Sequence, residues 1–156
     1  MEANINLMLA PTKRPDLPHS LAAAIARGVK GQCPRCGDAK LFRAFLKPIA
    51  HCPACHHDWT HQQADDFPPY VSIFLTGHLL APLIIYLSMS STVPMWQTLA
   101  ICLTLASIMM ISFLQPAKGG TIALQWWNGM HGFEPSGKAE AEAVSAPAPD
   151  SPWRRP

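Results

Sequence analysis

Residues 33–37 read Cys-Pro-Arg-Cys-Gly, and residues 52–55 read Cys-Pro-Ala-Cys. Two Cys-x-x-Cys pairs at this separation are typical of a structural zinc site, because each pair turns two thiolates toward one ion and the two pairs complete a tetrahedron. Gly37 permits the tight turn that such a pair needs. The sequence therefore predicts that one zinc ion is bound by Cys33, Cys36, Cys52 and Cys55.

A shell of four thiolates has no open position for water or substrate, so this site is expected to be structural. The segment around it is too short to bury much apolar surface, whereas a structural zinc contributes roughly 10 kcal/mol or more of apparent folding free energy. We expect a small zinc ribbon over residues 31–62. We expect no enzymatic activity, since the chain shows no pair of nucleophile and base, and no small-molecule substrate is indicated.

The second half of the chain predicts membrane helices. Of the 156 residues 49% are hydrophobic and 14% are charged, and no Asp, Glu, Lys or Arg occurs between Asp66 and Lys118. Residues 70–89 and 95–114 are long enough for each helix to cross a hydrocarbon core of roughly 30 Å. The short uncharged turn between them predicts a transmembrane helical hairpin, which we place at residues 63–114.

The distribution of Lys and Arg predicts the orientation of this hairpin. Eight of these residues precede the first span, four follow the second, and the connecting turn has none. The positive-inside rule then places both termini in the cytoplasm. A reducing cytoplasm would also keep the cysteine thiols free for zinc.

Two segments, a tail and a short helix, are expected before the ribbon. Residues 1–19 carry several prolines without periodicity and predict a disordered tail. Residues 20–30 predict a short helix, which Ser20 caps and Gly28 ends.

Beyond the second span, residues 115–133 predict an interfacial segment. Gln115–Gly120 contains Pro116 and two glycines, which are expected to break the span. The helical pattern that resumes carries Trp126 and Trp127, and tryptophan is preferred at the membrane interface. Residues 134–156 are rich in Ala, Pro and Ser and predict a second disordered tail.

Two side chains inside the spans are candidates for a second site. A histidine within the bilayer is costly unless it faces a partner. His78 is therefore either a functional residue, as a haem ligand, a copper ligand or a proton relay, or one end of an interhelical hydrogen bond. In the second case Gly77 and Ala81 would permit close helix packing. Cys102 is either a further ligand or a small apolar filler.

The ribbon carries further candidate residues. His51, His56, His57 and His61 flank the second Cys pair, where they could replace a thiolate, bind another ion, or stay solvent-exposed. Asp65 and Asp66 either bind a cation or favour the positive end of the helix that follows. In residues 40–47, apolar side chains are interleaved with three basic ones. The aromatic residues are expected to pack on the ribbon or to contact lipid headgroups, or the segment docks an anionic partner. Nucleic acid is disfavoured because the basic set is small.

Five blocks of sequence in order resemble a known bacterial family, catalogued as domain of unknown function 983. The blocks are CPRCG, LFRAFLK, HCPAC, ADDFPPYVSIFLTGHL and QPAKGGTIALQWW, and the resemblance covers about residues 24–132. Genes for such proteins often lie among those for cytochrome c oxidase subunits and assembly factors, which implies a role near oxidase biogenesis by association. The family offers no established catalytic residues. One departure is His56, where family members often have Gly.

The function expected from the sequence is that of a membrane-anchored zinc-ribbon accessory or assembly protein. It would dock on an inner-membrane complex, with cytochrome c oxidase biogenesis as the process that the resemblance implies. One alternative is a membrane protein that handles a metal or haem through His78 and Cys102. Another is a membrane-tethered ribbon that binds nucleic acid.

Overall fold

A computed structural model describes residues 16–89 and 94–145 of the chain. Two long helices follow a small cysteine-containing module, as the sequence predicts. The elements in chain order are α1 Leu21–Val29, β1 Phe42–Ala44, β2 Lys47–Pro48, α2 Phe67–Met89, α3 Met95–Trp127, a 3₁₀ turn Met130–Gly132 and α4 Gly137–Ser145. The predicted turn at 90–93 lies outside the described residues, as do residues 1–15 of the predicted N-terminal tail and residues 146–156 of the predicted C-terminal tail.

The first helix begins where the sequence places it and ends later. Ser20 is its N-cap, and the Ser20 hydroxyl oxygen accepts a hydrogen bond from the backbone N–H of Ala23 at 3.3 Å. The helix continues through Gly28 to Val29, so the predicted stop at Gly28 is wrong. Gly31, with φ of 73°, supplies the left-handed turn after the helix.

The helices α2 and α3 are each long and apolar enough to cross a membrane, and they pack along one another. Pro68 and Pro69 lie in the first turn of α2, where a proline removes no helical hydrogen bond. In the most apolar 18-residue window of α3 no side chain is buried, and in that of α2 17% are. Most of their apolar surface therefore faces outward.

The helix α3 is continuous over 33 residues, which is about 50 Å. The break predicted at Gln115–Gly120 is absent, and no separate interfacial helix follows. Instead, the last third of α3 is the centre of the cysteine-containing half of the molecule. Its buried residues are Gly119, Thr121, Ile122, Ala123, Gln125 and Trp126.

Close contact with α1 explains why α3 continues through this segment. A Cβ placed on Gly119 would overlap the carbonyl oxygen of Gly28, and a Cβ on Gly28 would overlap the carbonyl oxygen of Gly119. Ala24 and Ala123 lie one turn away on the two helices and are fully buried. The small residues that suggest a break in the sequence therefore allow two helix backbones to touch.

The cysteine module packs on the same part of α3. Its two strands form an antiparallel hairpin in which Phe42 pairs with Pro48 and Ala44 pairs with Lys47. Phe42 is buried against Gly119 of α3, where a Cβ would lie 3.4 Å from the Phe42 ring. The module and α3 thus share one core.

Two contacts tie the end of the module to α3 just before α2 begins. The Gln125 side chain accepts a hydrogen bond from the backbone N–H of Gln63 at 3.0 Å and donates one to the Gln63 carbonyl at 3.1 Å. Lys118 pairs with Asp65 at 3.6 Å. The start of α2 therefore lies beside the last third of α3.

Parts of both predicted tails are ordered. Pro18 is buried, and Asp16 pairs with Arg27 of α1 at 3.2 Å. Residues 137–145, predicted to be disordered, form α4. At its first residue, Gly137, a Cβ would lie 2.8 Å from the ring of Trp126, so this helix is seated on the core.

The contact between Gly28 and Gly119 predicts opposite effects of alanine at two helical glycines. Gly119→Ala should lower the stability of the cysteine module by about 1–3 kcal/mol, because the new methyl group meets backbone that cannot move aside easily. Gly77→Ala is the matched control. A Cβ there meets no described atom within 4 Å, and alanine gains helix propensity of about 1 kcal/mol.

Thermal unfolding in detergent, followed by the fluorescence of the buried tryptophans, measures both changes. A transition temperature for Gly119→Ala equal to that for Gly77→Ala would contradict the close helix contact.

Candidate metal centre

The two Cys-x-x-Cys pairs fold into turns of the same type. The N–H of Gly37 donates to the carbonyl of Cys33 at 2.8 Å, and the N–H of His56 donates to the carbonyl of Cys52 at 2.9 Å. The last residue of each turn has a positive φ, 75° at Gly37 and 55° at His56. A left-handed backbone conformation is favourable for glycine and strained for histidine. Position 56 therefore has a backbone conformation that suits glycine better than the histidine present.

The turns bring the four predicted sulfur atoms together. All four lie within 4.8 Å of one another, with 3.9 Å between Cys33 and Cys55 and 3.7 Å between Cys36 and Cys52. All four cysteines are free. Four sulfurs at about 2.3 Å from a tetrahedral ion would be about 3.8 Å apart, so the observed spacing fits a metal ion of that geometry.

The site is largely shielded from solvent, and its thiols differ in acidity. Three of the cysteines are buried and Cys55 is half-buried. The hydrogen bond from the Cys33 thiol lowers the pKa of Cys55 to about 4, and the same bond raises the pKa of Cys33. Burial raises the pKa of Cys52. A bound cation would displace the thiol protons that remain.

Arg35, between the two cysteines of the first pair, connects both turns to the C-terminal helix. Its Nη1 donates to the carbonyl of Cys55 at 3.3 Å, and its Nε donates to both carboxylate oxygens of Glu140 at 2.9 and 3.2 Å. The side chain of Glu140 is only 10% exposed. Burial opposes the charge on Arg35, but the hydrogen bonds and charges of Glu140 and Cys55 together outweigh it and raise the pKa of Arg35. Sequence reasoning missed this pair, because Glu140 carries no local signal and lies 105 residues away.

An aromatic cluster supports the second Cys pair from the side of α3. It consists of His57, Trp59, Trp126 and Phe133, with ring centroids between 4.6 and 6.2 Å apart. Burial lowers the pKa of His57, which leaves its imidazole neutral. The Nε2 of His57 and both indole nitrogens have no hydrogen-bond partner among the described residues. The cluster is therefore held by ring packing.

The predicted histidines do not join the four sulfurs. His57 is in the aromatic cluster, and the exposed His56 is outside the sulfur group. His51 and His61 approach the carboxylate of Asp58 at 3.7 and 3.9 Å. Within residues 16–89 and 94–145 the group of potential metal ligands thus contains cysteine alone.

His78 has a partner on its own helix. Its Nδ1–H donates to the carbonyl of Phe74 at 2.9 Å, and the two rings lie 4.1 Å apart. The predicted interhelical bond is therefore not the one observed, and Gly77 does not mediate close packing among the described residues. Cys102 is half-buried on α3 and free. In the described part of the chain, neither His78 nor Cys102 belongs to a group of three potential metal ligands.

The sulfur geometry predicts which cysteine matters for metal content. Cys52→Ser should lose the metal from most of the purified protein, because three thiolates leave the tetrahedral shell incomplete. Cys102→Ser is the matched control and should keep one metal ion per chain. Elemental analysis of both variants after dialysis measures the difference. Full metal occupancy in Cys52→Ser would show that another side chain, such as a histidine, completes the shell.

Comparison with known proteins agrees with the resemblance seen in the sequence. A family described as "Protein of unknown function (DUF983)" matches residues 42–126. That segment begins at β1 and includes the second Cys pair, α2 and most of α3. No curated protein and no solved structure matches the chain. Because the match covers more than half of the sequence, the chain belongs to the DUF983 family.

Proposed function

We propose that this protein is a membrane-anchored zinc-ribbon accessory protein, and not an enzyme. In this role α2 and α3 cross the bacterial inner membrane, and the zinc ribbon docks on another membrane complex. The observation that carries the proposal is the continuity of α3, which runs from an outward-facing apolar segment into the core that holds the cysteines. Such a helix would hold the surface of the zinc ribbon at a fixed distance from the bilayer.

The exposed side chains of α2 and α3 support insertion into a membrane. Large apolar residues on both helices are more than half exposed; they include Ile73, Phe74, Leu79, Ile85, Leu99, Leu103, Ile108 and Ile111. A water-soluble protein rarely leaves apolar surface of this extent uncovered. Lipid would cover it.

Two observations support cytoplasmic termini. The contacts of Gln63 with Gln125 and of Asp65 with Lys118 hold the ribbon beside the last third of α3, so both ends of the hairpin lie on one side. Eight Lys or Arg residues precede α2 and four follow the apolar part of α3. The positive-inside rule assigns such a side to the cytoplasm.

The chemistry of the site supports zinc as the metal. Four thiolates at tetrahedral spacing suit zinc, which has no geometric preference of its own and needs no open position in a structural site. A reducing cytoplasm keeps those thiols available. With all four positions taken, zinc here stabilises the ribbon and does not activate water.

The docking partner is proposed from the family association with cytochrome c oxidase genes. An accessory protein of this kind would present its ribbon to a subunit or an assembly factor of the oxidase at the membrane surface. We expect the full-length protein, solubilised in mild detergent, to copurify with such components. Zinc-depleted Cys52→Ser should lose them while it remains in the membrane fraction, and Cys102→Ser should retain them. Quantitative mass spectrometry measures this, and recovery of an unrelated complex would refute the oxidase assignment.

The proposed orientation can be tested with a reporter that is active only in the periplasm. Insertion between Met89 and Pro94 should give a signal, and fusion after Pro156 should give none. Activity at the C-terminus and silence between the helices would place the ribbon outside the cytoplasm and overturn the orientation.

A further inference from the structure

A polar groove of about 590 Å³ lies between the ribbon and α3. Lys30, Lys40 and Arg43 contribute three positive charges to its lining, and Asp38 contributes one negative charge. Within the described residues none of the three basic side chains forms an ion pair. The groove therefore has a net positive charge. Most of this charge has no counterion among the described residues of the groove.

The position of Gln115 defines the height of this groove along α3. Gln115 belongs to the lining, and it lies 20 residues after Met95, where α3 begins. That length of helix is about 30 Å, the thickness of the hydrocarbon core. In a membrane the groove would lie where the lipid headgroups begin.

The β-hairpin borders this groove. Phe42 packs on Gly119 and also lines the groove, and the next two residues, Arg43 and Ala44, line it together with Gln115. The tip follows, and there the aromatic side chain of Phe45 is 52% exposed.

We propose that the groove binds the phosphate group of an anionic phospholipid and that Phe45 enters the boundary between headgroups and acyl chains beside it. This inference rests on the proposed insertion of α2 and α3 in a membrane. Ammonium and guanidinium groups are the usual partners of lipid phosphate at a cytoplasmic surface. An aromatic side chain beside such cations anchors a surface at the same depth.

The test measures lipid binding to the full-length chain in detergent by native mass spectrometry. Phosphatidylglycerol should bind more tightly than phosphatidylcholine. Lys40→Gln and Arg43→Gln should each weaken phosphatidylglycerol binding about five-fold, and the double variant about 25-fold, since each basic residue near the surface contributes a factor of that size. Lys138→Gln removes the same charge from an exposed position on α4 and should change little.

Three results would overturn the lipid assignment. They are equal affinity for the two lipids, an equal loss in Lys138→Gln, and displacement of phosphatidylglycerol by millimolar inorganic phosphate, which would indicate a site for the free anion. Metal content of each variant verifies that the ribbon is folded. Incorporation into phosphatidylcholine nanodiscs tests membrane insertion separately, so a chain that enters the bilayer without lipid preference refutes only the groove.

A photo-crosslinking residue tests the depth of the hairpin tip. A benzophenone side chain in place of Phe45 should form a covalent adduct with phospholipid after illumination in a nanodisc. The same substitution at Val144, which is 71% exposed on α4, should not. Adducts at both positions or at neither would contradict the proposed position of the tip.

Discussion

Backbone contact between Gly28 and Gly119 determines how the metal-binding half of the molecule sits on the helical hairpin. No side chain separates the two helices at this point, so their distance is set by main-chain atoms. Ile122, Ala123 and Trp126 follow on α3 and are completely buried, and the ribbon closes over them. The position of the four clustered cysteines relative to the hairpin therefore depends on the absence of two Cβ atoms.

The metal centre depends on segments that are far apart in the chain. Arg35 bonds to the other Cys turn and to a carboxylate on α4, while aromatic rings from α3 and from the loop after it press on the second turn. Removal of one partner from a buried ion pair leaves a charge without compensation, which is far costlier than the loss of a surface pair. A bound metal ion would accordingly be one of three supports of the ribbon, beside the Arg35–Glu140 ion pair and the aromatic cluster.

The features predicted correctly from the sequence depend on neighbours along the chain. Cysteine spacing is a local signal, and so are the apolar runs of α2 and α3 and the cap at Ser20. The errors occur where distant contacts decide. Pro116 and the glycines after it suggest a break, but α1, about 90 residues earlier in the chain, stabilises an unbroken helix through that segment.

The helix α4 and the observed partner of His78 are not predicted, because no local sequence pattern indicates them. The segment that forms α4 is rich in alanine and charged residues, which is typical of disordered tails. Nevertheless Glu140 pairs with Arg35, and Gly137 packs against the ring of Trp126. The sequence predicts a partner for His78 on the neighbouring helix, but the carbonyl of Phe74, one turn earlier on the same helix, accepts its hydrogen bond. Such cases require coordinates, because the sequence does not indicate which distant groups meet.

Because α3 is unbroken, a tilt of its apolar part would also move the ribbon that is packed on its other end. About 20 Å of the helix extends past Gln115, and the ribbon is packed rigidly along that length. Membrane helices adjust to bilayers of different thickness by tilting. A change in tilt of about 10° would carry the far end of α3 sideways by about 3 Å. The location of the metal-folded surface would then follow the thickness of the membrane around it.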